Sequence, residues 1–212
     1  MTRTRLWASL ILILVVVAGV AWAWWNFDLR WRPRVIAKDQ AQIARILDTA
    51  RWVSPGGRGN RLYMVAYRDC PSCLRFETLA FPKLRAAGVD LRVIMIARAD
   101  TNGLIQSTPA ERATVAELWL NRDWRLFERW MAAAPAEAWT APGLAPADGD
   151  VSRTAVIQAG RAAVEALRPL LKANGLEFAY PTLIWWTKAG VMHGCACQDP
   201  RGYGPVEREL GA

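Results

Sequence analysis

The stretch YRDCPSCLRF, residues 67–76, holds two of the four cysteines of this 212-residue chain, two residues apart. RLYMVAY (61–67) leads into it, a short apolar run after the turn signals of SPGGRGN (54–60), and predicts a buried strand. LRFETLAFPKLRAAG (74–88) follows and predicts a helix stopped by Gly88, with a kink at Pro82. Cys70 then stands at a helix N-terminus, where unpaired N–H groups and the helix dipole stabilise a thiolate. Cys73, one turn inside, is more shielded and placed to attack a mixed disulfide from behind. Pro71 suits the first turn, where its missing N–H is not needed. A structural disulfide or buried thiols would leave the same C-x-x-C pattern, and zinc would want a second pair of similar spacing.

Outward from this point, KDQAQIARILDTARWV (38–53) carries Ile43, Ile46, Leu47 and Ala50 at helical spacing, and VDLRVIMIAR (89–98) predicts a second strand. Residues 108–134 predict a helical stretch, with Thr108 as N-cap, Pro109 at the first position and Glu111 closing a capping box. A Pro/Ala/Gly loop spans 134–150 and a helix 151–175. YPTLIWW (180–186), KAG and VMHG (191–194) predict strand, tight turn and strand, and a short helix closes the chain near 205–210. The order is that of an α/β fold around a mixed sheet.

The N-terminus bears on compartment. After two arginines in MTRTR, Leu6–Trp25 runs twenty residues without a charge, about the length needed to cross a bilayer core. Trp22, Trp24 and Trp25 cluster at its outer end, as interfacial aromatics do. AWA at 21–23 matches a signal-peptidase pattern, but the bulky tryptophans and the full spanning length favour an uncleaved anchor. Residues 1–25 are thus expected to be a cytoplasmic tail and anchor, 26–58 a juxtamembrane linker and helix, and 59–212 the folded domain. That domain would face an extracytoplasmic space where disulfide chemistry is allowed. The net charge of +8 comes from arginines scattered along the chain, with no basic tract interleaved with aromatics, so nucleic-acid binding is not expected.

YRDCPSC after a strand, YPT before the last hairpin, and AELWLNRDWRLFERWMAA between them resemble the thioredoxin superfamily, and within it the DsbC/DsbG-like thiol:disulfide interchange proteins. The resemblance covers about residues 60–212 and implies a thioredoxin-like fold with a helical insert at about 105–175, preceded by one transmembrane helix. It implies Cys70 as attacking thiol and Cys73 as resolving thiol. Pro181 would be cis, and Tyr180, Pro181 and Thr182 would form the edge on which substrate docks. No cofactor is called for. The implied partners are proteins with cysteines or disulfides and a membrane protein that donates or accepts electrons, with residues 6–25 holding the chain in the bacterial inner membrane and the catalytic domain in the periplasm.

The chain also departs from that family. Isomerases of that family carry a sizeable N-terminal dimerisation domain, whereas here only residues 35–58 lie between the expected anchor and the first strand, and the structural cysteine pair of the family's insert is missing. The buried acid found in thioredoxins six residues before the first cysteine is replaced by Met64. Asp69 disfavours a Cys70 thiolate, while Arg68 and Arg75 favour it. Cys195 and Cys197, after the last strand, lie where such folds return the chain end beside the C-x-x-C and the proline loop. A disulfide between them closes a small ring, strained and easily reduced. Three readings stand open: a second redox couple relaying electrons to Cys70, a local staple, or a metal site of Cys70, Cys73, Cys195 and Cys197. His193, the only histidine, is a metal ligand, a proton shuttle or a plain packing residue. The expectation is an extracytoplasmic thiol:disulfide oxidoreductase; the alternative is a non-catalytic metal-binding or metallochaperone module.

Overall fold

The computed structural model describes residues 2–27, 29–134 and 138–212, and the side chains among them except those of residues 2–6, 8–10 and 30. Residues 135–137 of the predicted surface loop lie outside the described residues. The chain divides into two compact units, Met1–Arg32 and Pro33–Ala212.

The first unit is helix α1, Thr2–Phe27, and a 3-10 turn at Leu29–Trp31. The Trp31 indole donates to the Asn26 carbonyl at 2.6 Å, tying the turn to the helix end. Ile11 to Val17 and Trp22, Trp24 and Trp25 each leave more than half of their surface open. A helix forms where the sequence predicts an anchor, yet among the described residues no helix is long and apolar enough to cross a membrane. Leu6 and the residues 8–10 of that predicted span lie outside the described side chains.

The second unit is built on a five-stranded mixed sheet: β1 (Arg34–Val35), β2 (Arg61–Ala66), β3 (Asp90–Met95), β4 (Thr182–Trp186) and β5 (Met192–Ala196), in the order β1-β5-β4-β2-β3. β2 and β3 run parallel, and β4 opposes both β2 and β5. The C-terminal ends of β2, β3 and β5 and the N-terminal end of β4 therefore share one end of the sheet. β2 is buried from Leu62 to Ala66 on both faces, which explains its unbroken apolar run.

Helices cover the faces: α2 (Gln40–Thr49), α3 (Pro71–Ala86), α4 (Pro109–Asn121), α5 (Trp124–Ala132), α6 (Val151–Lys172) and α7 (Tyr203–Leu210). α3 continues through Pro82, with Phe81 and Leu84 buried on either side of it. The 108–134 stretch is two helices rather than one. Arg122 turns left-handed at φ 53°, and the Asp123 side chain caps α5 by accepting the Leu126 N–H at 3.1 Å. The capping box forms as predicted, with Thr108 accepting the Glu111 N–H at 3.1 Å and Glu111 accepting the Thr108 N–H at 2.9 Å. Residues 33–58 belong to this unit: β1 pairs with β5, and Ile43 and Leu47 of α2 are fully buried.

The insert is keyed to the sheet by Trp119, whose indole donates to the Met95 carbonyl at 2.7 Å in the core. Gly160 of α6 lets that ring approach, since a Cβ there would lie 2.9 Å from it.

Candidate functional site

β2 ends at Ala66 and delivers the chain through Tyr67–Asp69 to Cys70, the N-cap of α3. Cys70 has extended backbone (φ −80°, ψ 106°), as an N-cap requires, and its Sγ accepts the Cys73 N–H at 3.1 Å. That N–H points at the sulfur that would carry negative charge. The two cysteines form a disulfide with Cα atoms 5.1 Å apart. Both are buried, with 2% of the Cys70 surface and 0% of the Cys73 surface exposed, so Cys70 is more enclosed than an attacking thiol suggests.

Two acids near this pair are perturbed; the sequence reading gives Glu111 only as part of a helix cap and does not single out Glu77. Glu77 lies one turn beyond Cys73 on α3, with its Oε1 sealed from solvent and unpartnered. Burial, only partly offset by Arg68, pushes its carboxyl up to about 8. Arg68 is itself 5% exposed and donates to the Ala133 carbonyl at 2.5 Å. Met64, at the position where thioredoxins keep a buried acid, is 1% exposed and paired with Leu183, so Glu77 is an acid offered from the helix rather than from the strand. The signal available in the sequence was the i, i+4 step from Cys73 to Glu77.

Glu111, at the first turn of α4, is the second. Burial, and then a hydrogen bond with Asp69, hold its carboxyl above the usual range. Asp69, which directly precedes Cys70 in sequence, and Glu111 open onto a cavity of 480 Å³ walled by Trp139, Leu144 and Pro146.

The Tyr180–Pro181 peptide is cis and immediately precedes β4. Thr182, fully buried, braces the loop by donating to the Ala179 carbonyl at 2.5 Å. The Tyr180 ring meets Tyr67 edge-on at 5.0 Å, and desolvation raises its hydroxyl pKa. Tyr67 in turn accepts the Cys70 N–H on its carbonyl at 3.4 Å, so the proline loop and the cysteine loop touch.

Cys195 lies within β5, opposite Leu183, rather than after the last strand. It is bonded to Cys197, the Cα atoms 5.2 Å apart, and the two are 8% and 4% exposed. The Cys197 N–H donates to the Pro181 carbonyl at 3.1 Å, and its Sγ rests 3.8 Å from the Gly202 carbonyl. Tyr203 follows, its ring 4.9 Å from Phe76 of α3 and its hydroxyl 3.5 Å from the Ser72 carbonyl. The tail disulfide thus sits between the proline loop and the segment leading to α7, which packs on the cysteine helix.

His193 is engaged elsewhere. Its Nδ1 lies 2.6 Å from Glu209 Oε2, which also accepts the Trp185 indole N–H at 2.9 Å. The structure keeps the four cysteines as two separate disulfides, and among the described residues no group of three or more His, Cys, Asp or Glu stands together to hold a metal. The metal set of Cys70, Cys73, Cys195, Cys197 and His193 is therefore not assembled.

No protein-family model and no curated protein matches the sequence. Among solved structures, Salmonella enterica Typhimurium BcfH superposes with a TM-score of 0.51 and 13% sequence identity, over 99% of this chain and 93% of that chain. At that identity the likeness is one of fold: a mixed-sheet α/β structure of thioredoxin-like type carrying a close Cys70–Cys73 pair.

Proposed function

We propose that this chain is a thiol:disulfide oxidoreductase of the DsbC/DsbG-like kind, held in the bacterial inner membrane by residues 6–25 and working on envelope or secreted proteins. One observation carries the reading: a C-x-x-C disulfide whose first sulfur caps a helix and accepts a backbone N–H, at the sheet end that also bears Tyr180–Pro181.

In the reducing direction the Cys70 thiolate attacks one sulfur of a substrate disulfide. A Cys70–substrate bond forms and the substrate's other sulfur leaves as a thiolate. Cys73, deprotonated, then attacks the Cys70 sulfur, releasing the second substrate thiolate and closing Cys70–Cys73. Two electrons pass to the substrate; run backwards, the same steps oxidise it. Tyr180 and Pro181 form the edge on which the substrate segment lies, with Thr182 buried behind them rather than on that edge, and a membrane protein restores the starting redox state.

The bond from the Cys197 N–H to the Pro181 carbonyl supports a strap on the proline loop over an electron relay.

Insulin reduction and refolding of a scrambled disulfide protein test the reading with the full chain. Cys70→Ser abolishes turnover, and Cys73→Ser accumulates mixed disulfides with substrate. Absence of turnover together with stoichiometric bound metal would overturn it in favour of a metal-binding module.

A further inference from the structure

At the same sheet end a cavity of 430 Å³ opens beside Tyr180, and the chemistry of its wall is one-sided. Arg98, Arg161 and Arg168 line it against a single carboxylate, Glu165. Glu165 is spent on Arg168, its Oε1 3.1 Å from the Arg168 Nε, and the Arg168 guanidinium lies 4.6 Å from the centre of the Phe178 ring. Arg161 donates only to neutral carbonyls, those of Ala97 at 2.8 Å and Arg98 at 2.9 Å. Arg98 stacks 4.0 Å from the centre of the Tyr67 ring and reaches the Gln106 carbonyl at 3.4 Å, while its Nε is sealed without a partner.

Beyond the wall, Asp100 acts favourably on Arg161 and Arg112 acts against it, and burial is the largest influence, pulling the Arg161 pKa down. Among the described residues neither Arg98 nor Arg161 forms an ion pair with a carboxylate, and both line this partly desolvated space, the arrangement that recognises an anion through planar, charge-assisted hydrogen bonds. The cavity is tied to the cysteines through ring contacts: Tyr180 on Tyr67, and Tyr67 three residues before Cys70.

We propose that this cavity is a carboxylate-binding subsite, which selects substrates carrying an acidic group within a few residues of the reacting sulfur. The inference rests on the oxidoreductase reading, with Tyr180 as part of the docking edge. The carboxylate has two chemical sources, an acidic side chain of a protein substrate or the carboxylates of a small thiol such as glutathione, and one set of measurements separates them.

Turnover is compared for two disulfide peptides that differ only in Glu or Gln two residues from the cysteine, and for oxidised glutathione against its ester. Binding of the corresponding Cys→Ser peptides to the full chain is measured in parallel. The Glu peptide is expected to be preferred about tenfold in kcat/KM at low salt, with the preference shrinking as ionic strength rises. Arg161→Gln reduces the preference and Glu165→Gln, which removes the competing acid, enlarges it. A preference confined to glutathione over its ester, with the same response to both variants, assigns the site to the small thiol. Equal treatment of acid and neutral forms in both arms overturns the proposal, as does a preference that neither variant moves. The thiol-free peptides keep the two readings apart: acid-selective binding without turnover sinks the oxidoreductase reading alone, and turnover without acid selectivity sinks the subsite alone.

Discussion

Replacing Glu77 with Gln removes a titration that the fold makes unfavourable, and the consequence is a stability that depends on pH in an unusual direction. The Glu77 carboxyl is raised from 4.5 to about 8, chiefly by burial. Below about 4.5 both folded and unfolded chains hold the proton and the group contributes no pH dependence. Between 4.5 and about 8 the unfolded chain releases the proton while the folded chain retains it, so stability falls as pH rises and levels off above about 8. At 1.36 kcal/mol per pH unit that interval sets a ceiling of about 5 kcal/mol. Relaxation of Arg68 toward the carboxylate and local water entry bring the expected loss to about 2–4 kcal/mol. Glutamine has the shape of the protonated acid and no charge to bury. Urea denaturation of the full chain in mild detergent, from pH 5 to pH 9, is the assay. Wild type and Glu77→Gln agree within about 1 kcal/mol at pH 5 and diverge steadily above it, the variant becoming the more stable. Two profiles that stay parallel across that range refute the placement of a neutral, buried acid behind Cys73.

The tail pair and the insert give two further tests. Changing Cys195 and Cys197 together to Ser opens a three-residue ring, costing about 1–2 kcal/mol by loop entropy, and speeds hydrogen exchange at amide 197, which bonds to Pro181. Unchanged exchange there would show that the disulfide does not brace the loop. Trp119→Phe strands the buried Met95 carbonyl at a cost of about 1–3 kcal/mol, and Gly160→Ala crowds the same ring at a similar cost. Because the smaller phenyl ring makes room for the new methyl, the double variant should lose less than the two single losses added, and strict additivity in a thermodynamic cycle would refute that coupling.

The strands around the cysteines were legible because burial on both faces wrote itself into composition: RLYMVA and DLRVIM are nearly continuous apolar runs. The capping box at Thr108 was legible because its signal is local. The break between α4 and α5 was also encoded, in Asp123 as an N-cap, but a continuous apolar pattern on both sides hid it. β1 was not legible: two exposed residues, Arg34 and Val35, form a strand only because the edge of β5 is there to receive them. α3 does not end at Pro82, where a kink is predicted, and buried side chains lie on both sides of it. The arginine-lined cavity was out of reach for another reason. Its wall is assembled from the residues after β3 and from α6, and no short sequence window contains both halves.

The tail disulfide sits between these cases, since hairpin geometry places it. Antiparallel pairs keep a constant sum of residue numbers, and Thr182 opposite Ala196 and Trp186 opposite Met192 centre the hairpin on Ala189. One step outward brings Cys197 to Pro181, where the 3.1 Å bond from the Cys197 N–H to the Pro181 carbonyl is found. The same count across β2 and β4, from Val65 opposite Thr182, sets Pro181 level with Ala66, four residues before Cys70. β4, which Pro181 immediately precedes, lies between the strand of the tail pair and β2, so in that order the tail pair meets the proline loop before the cysteine loop. The tail disulfide thus reaches the proline loop through the Cys197 amide, and opening it would loosen that loop.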